Sequence, residues 1–298
     1  MSTTKRLFQR FDRLQQSHRT LAFIVAVIKK YGDDQTGNRA ALLTYYGFLA
    51  LFPLLLVLTT VTQIIAASHQ NIQNDIVSAA TSYFPVLGDQ LSSHIHTLHK
   101  TGFALIVGIL FTLYGARGVA NAFRQGVTHI WGIPRSKQDS FPASTLKNLI
   151  IIIVGGVGFI AAAICTSFAA NAGHGPLFRT VSLLINVFIL FWLFTFLLKI
   201  TLPKNVRLQE TYLAAACASI GLVILQLIGG YLLTRQLKNL DALYSYFALA
   251  LGLMFWIYLQ AQVLFYALEI ATVHNKKLWP RSISEPQQKH SDTQSQQA

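Results

Sequence analysis

Seven polar side chains sit inside stretches that are otherwise apolar: Arg117, Asn121, Arg124, Gln226, Gln260, Gln262 and Glu269. A charge placed in hydrocarbon costs about 2.5 to 3.5 kcal/mol on insertion scales, so such a group normally faces the protein interior and finds a partner. An arginine left without a carboxylate there suits an anionic ligand. The amides serve either as interhelical hydrogen-bonding groups or as the lining of a polar path. Metal chemistry has less to work with. His94, His96 and His99 form the densest histidine run, but their spacing suits no single helical face, and Asp89 is the only acid nearby. They are expected to be solvated loop histidines, and no metal site or cofactor is expected. Phosphodiester cleavage wants clustered carboxylates or histidines around metal ions. Asp139 is the only acid between Arg117 and Lys147, and Glu210 stands alone in its loop. No Gly-rich phosphate loop, GxSxG elbow or HExxH motif occurs, so no catalytic residue is assigned.

The composition says what must position these groups. The chain has 298 residues, 53% of them hydrophobic and 12% charged, where soluble domains carry about a quarter charged. Uninterrupted apolar stretches such as 149–170 and 181–200 match a bilayer core of roughly 30 Å crossed at about 1.5 Å per residue. The net charge of +13 would suit nucleic acid. Divided over the connecting segments, however, 20 of the 24 Lys and Arg fall on one side of the membrane and 4 on the other. The positive-inside rule explains that asymmetry, so no nucleic-acid partner is expected. Cys165 and Cys217 both lie within apolar stretches, so no disulfide framework is available. The apolar run 21–28 has no cleavage site behind it, and a cleaved signal peptide is not expected.

The expected class is an all-α polytopic membrane protein with six transmembrane helices, spanning about 40–67, 103–131, 147–170, 179–202, 210–234 and 242–272, plus short amphipathic surface helices. Residues 1–38 are expected to form a cytoplasmic tail with an interfacial helix that ends at Lys29 and Lys30. Pro53 should kink the first span. Segment 68–101 reads as two amphipathic helices at the outer surface. The fifth span, rich in Ala, Ser and Gly from Ala214 to Gly230, should be central in the bundle. Lys276, Lys277, Trp279 and Arg281 close the sixth as an interfacial anchor, and 275–298 forms a polar cytoplasmic tail. Both termini are placed in the cytoplasm and the protein in a bacterial inner membrane.

Segment 38–53, NRAALLTYYGFLALFP, resembles the opening span of the YihY/BrkB family, membrane proteins formerly labelled ribonuclease BN. Segment 108–131, running into THIWG at 128–132, resembles that family's second span, and 243–269, with Tyr244, Trp256, Tyr258 and Glu269, its last. Ala50, Ser245 and the Ala267-Leu268 pair depart from the family pattern, and Arg117 has no usual counterpart. The resemblance implies a six-span inner-membrane fold and no settled activity.

Counted from the outer ends of their spans, Arg117, Arg124 and Glu269 lie at depths of about 21, 32 and 40 Å. The expectation is that Glu269 pairs with Arg124 near the cytoplasmic side and leaves Arg117 unpaired nearer mid-bilayer. The function expected from this is translocation of an anionic amphiphile, lipid-like envelope component or small solute along a path lined by Arg117, Asn121, Arg124, Gln226, Gln260 and Glu269. The partners would be membrane lipids and such an amphiphile. An envelope scaffold or assembly factor that docks an envelope protein is the alternative, and RNA processing a remote one.

Overall fold

The computed structural model describes residues 19–66, 102–134, 136, 140–171, 176–236 and 242–279. Every regular element among them is helical. A short helix α1 (Arg19–Asp33) is followed by six long ones: α2 (Thr36–Ala66), α3 (Gly102–Ile130), α4 (Ala143–Asn171), α5 (Pro176–Thr201), α6 (Leu208–Gln236) and α7 (Ala242–Asn275). By length and composition, four of them, α4 to α7, are long and apolar enough to cross a membrane over their described residues. Helix α2 runs through Pro53 as one element. The expected outer amphipathic helices of 68–101, with the three histidines, lie outside the described residues, as do the chain ends.

The long helices close a ring, each packing on the next from α2 round to α7, and α7 packs back on α2. Close approach is set by glycine. A methyl group at Gly115 of α3 would lie 2.8 Å from the Ala50 backbone of α2. With no side chain there the two helices touch backbone to backbone, and no other ring pair packs as extensively. The seam between α3 and α4 is the least extensive in the ring.

The six long helices alternate direction, so one end of the ring gathers the starts of α2, α4 and α6 and the finishes of α3, α5 and α7; α1 packs at that end and runs the same way along α7 as α2 does. The finish of α3 turns off in a Schellman motif: Gly132 adopts φ +68°, and Ile133 N–H donates to the Thr128 carbonyl at 2.8 Å. Helix α7 finishes the same way, with Lys277 at φ 51° and Leu278 N–H donating to the Val273 carbonyl.

Helix α1 turns one face into the bundle. Ala22, Ala26, Val27 and Lys30 form one buried stripe against α7 and α2, while Leu21, Ile24 and Ile28 face outward. Spacing of 22, 26 and 30 places all three on one helical face, and this docks Lys30 inside the protein. The C-terminal anchor also turns inward: the Trp279 ring receives the Arg19 guanidinium at 4.9 Å and the Phe23 ring edge-on.

Candidate functional site

The most completely built polar site lies where α1, α2, α3 and α7 converge. Glu269 on α7 is fully buried; its Oε2 accepts from Lys30 Nζ at 2.7 Å and its Oε1 from the Thr36 hydroxyl at 2.6 Å. Lys30 is 4% exposed. Besides Glu269 it donates to the Asp34 carboxylate and, at 2.9 Å, to the Ile130 carbonyl at the end of α3. Lys276 donates to the next carbonyl, that of Trp131. Two lysines from different helices therefore cap the last carbonyls of α3, where the helix dipole favours positive charge. Burial pushes the Lys276 ammonium below its ordinary value, and the nearby Lys30 charge acts in the same direction.

This arrangement corrects the expected partner of Glu269: it is Lys30, not Arg124. Depth along a helix cannot tell which neighbour stands beside it. Arg124 instead reaches α4, donating to the Ser144 hydroxyl and, at 3.4 Å, to its carbonyl. A signal for Lys30 was present in the sequence. It falls in register with Ala22 and Ala26 on the apolar face, whereas Lys29 does not.

A second row of polar groups climbs α7 from Glu269. Tyr266 stacks on Tyr31 of α1 with ring centroids 4.2 Å apart, and the Tyr31 hydroxyl donates to Gln262. Burial raises the Tyr31 phenol above its ordinary value, against the lowering effect of the Gln262 hydrogen bond.

The remaining sequence-selected residues separate into two further places. Gln260 lies about half a turn round α7 from Glu269. It falls between Trp256 and Val263, the side chains that pack over Gly229 and Gly221 of α6, and its Nε2 is buried without a partner among the described residues. Gln226 is half-buried on α6. On α3, Arg117, Asn121 and Arg124 share one stripe, because seven residues at about 100° each return nearly to the same face. Since Arg124 reaches Ser144, this stripe looks toward α4. Arg117 is exposed and has no hydrogen-bond or ion-pair partner among the described residues. The described residues hold no cluster of three or more His, Cys, Asp or Glu placed to bind a metal ion.

Residues 27–292 match the family model described as Virulence factor BrkB. The inner membrane protein YhjD of Escherichia coli (strain K12) is 25% identical over 88% of this chain and 83% of its own length. YfkH of Bacillus subtilis (strain 168), whose name calls it ribonuclease-like, is 24% identical over 87% of this chain and 98% of its own. No solved structure matches.

Proposed function

The chain belongs to the BrkB family, and on that premise we propose that it is an integral inner-membrane protein that translocates an anionic amphiphile. The six long helices are its spans, and the end of the ring that holds α1 faces the cytoplasm. Lys29, Lys147, Lys199, Lys204, Arg207, Lys276 and Lys277 gather at that end, as basic residues do on the cytoplasmic side. Both chain termini then lie inside the cell.

The observation that carries the reading is Arg117. It stands 13 residues before Ile130, about 20 Å along α3, on an outward face with exposed Leu110, Leu113 and Tyr114. With no acid beside it among the described residues, a cation at that height suits an anionic group that comes from outside the bundle. Asn121 and Arg124 continue the polar stripe from this height down to the cytoplasmic end. No ATP-binding motif occurs, so movement runs down a gradient or is coupled to an ion or a partner.

Reconstitution into liposomes tests it, using a fluorescent anionic lipid and a membrane-impermeant quencher. The expected result is quenching of inner-leaflet anionic lipid faster than of a zwitterionic analogue, with the difference lost in Arg117→Gln. Folded protein that moves neither lipid faster than protein-free vesicles overturns the reading.

A further inference from the structure

Three observations converge on the seam between α3 and α4. The seam is tied at its cytoplasmic end by Arg124 on Ser144. One turn further along α4, Asn148 is 5% exposed, and its side-chain oxygen accepts no hydrogen bond among the described residues. Two turns beyond that, on the same stripe as Ser144 and Asn148, a side-chain carbon at Gly155 would meet no atom within 4 Å. Counted from the Arg124–Ser144 tie, Arg117 stands seven residues up α3, about 10 Å, and Gly155 eleven residues up α4, about 16 Å, so the opening lies roughly one turn above Arg117. The seam therefore opens about one turn above the exposed guanidinium, with an unsatisfied buried amide below it and a closed floor beneath that.

We propose that this seam is a lateral binding site for an anionic glycerophospholipid with a hydroxylated headgroup, its phosphate on Arg117 and a headgroup hydroxyl on Asn148. Charge complementarity selects the phosphate, since guanidinium pairs with it bidentately. The flanks select a lipid rather than an acidic peptide. Leu110, Leu113 and Tyr114, on the Arg117 face of α3, are exposed and apolar, a surface on which acyl chains lie without loss. A peptide entering from the same side would leave its backbone groups unpaired in hydrocarbon. The site rests on the translocation reading and gives it a path, but its existence is read out by binding rather than by flux.

The test is photo-crosslinking of the full chain in phosphatidylcholine vesicles doped with a photoactivatable phosphatidylglycerol or, separately, phosphatidylcholine. Phosphatidylglycerol adducts are expected within 106–124 and 144–160. They should fall at least roughly tenfold in Arg117→Gln, as loss of a charge-assisted contact predicts. Gly155→Trp fills the opening and should abolish them, while Gly156→Trp, next to it with equally open surroundings on the outward face, keeps them. Asn148→Leu lowers them without adding bulk, so the site stays testable if Gly155→Trp fails to fold. Equal labelling by both lipids, adducts spread evenly over the exposed faces of α4 and α5, or indifference to these substitutions overturns the site. Flux without seam labelling refutes the site and leaves translocation standing; seam labelling without flux refutes translocation and leaves the site.

Discussion

Replacing Lys30 by Met removes a cation from a place where a carboxylate has little else. Glu269, fully buried, would keep only the Thr36 hydroxyl as partner among the described residues. Breaking one side of a buried ion pair costs about 3 to 5 kcal/mol, because the surviving charge is stranded away from water. Asp34 loses a contact too, but with 15% of its side chain exposed it recovers part of that from solvent. Glu269→Gln should be milder, about 1 to 3 kcal/mol, since the amide still accepts from Thr36 and Lys30 keeps Asp34 and the Ile130 carbonyl. Lys30→Met with Glu269→Leu removes both charges and should return to within about 1 kcal/mol of wild type, as apolar replacements of buried pairs do. Chemical unfolding in detergent micelles, followed by tryptophan fluorescence and run on Glu269→Leu alone as well, closes the double-mutant cycle. Hydrogen exchange locates the loss: 19–33 should exchange first, because Lys30 ties α1 to α7. Additive single effects, or a Lys30→Met cost under about 1 kcal/mol with α1 still protected, would refute the assignment. Arg124→Gln serves as the comparison and should be additive with changes at Glu269.

Gly115→Ala should destabilise by about 1 to 2 kcal/mol: the new methyl meets Ala50 backbone at 2.8 Å, and that overpacking outweighs the helix propensity gained. Gly155→Ala, in open space, should instead stabilise by about 0.5 to 1 kcal/mol; thermal unfolding of the two variants side by side checks both signs. Lys277→Gly should add about 1 kcal/mol, because Lys277 holds a left-handed conformation that glycine adopts freely. At high pH the unfolded chain ionises Tyr31 before the folded one does, because burial raises the folded phenol. The folded state then binds more protons, so Tyr31's contribution to stability is full below the ordinary phenol value and is lost as pH rises through the folded one. A phenolate absorbance titration of wild type minus Tyr31→Phe should show a phenol that ionises late.

The helical class was legible because crossing hydrocarbon is a requirement on each segment alone: α4 to α7 announce themselves by apolar length, whatever they pack against. The stripe of Arg117, Asn121 and Arg124 was legible for the same kind of reason, since 3.6-residue periodicity is local. What it faces was not. Only the order of helices round the ring puts α4 opposite it, while Gln260 turns toward α6. Glu269 shows the limit most plainly. Its burial could be read from the chain, but its partner comes from a short helix 239 residues away that depth arithmetic left outside the membrane. Sequence fixes which charges must find partners, because desolvation cost belongs to the residue; tertiary structure decides which partner each one has, because that depends on which helices stand side by side.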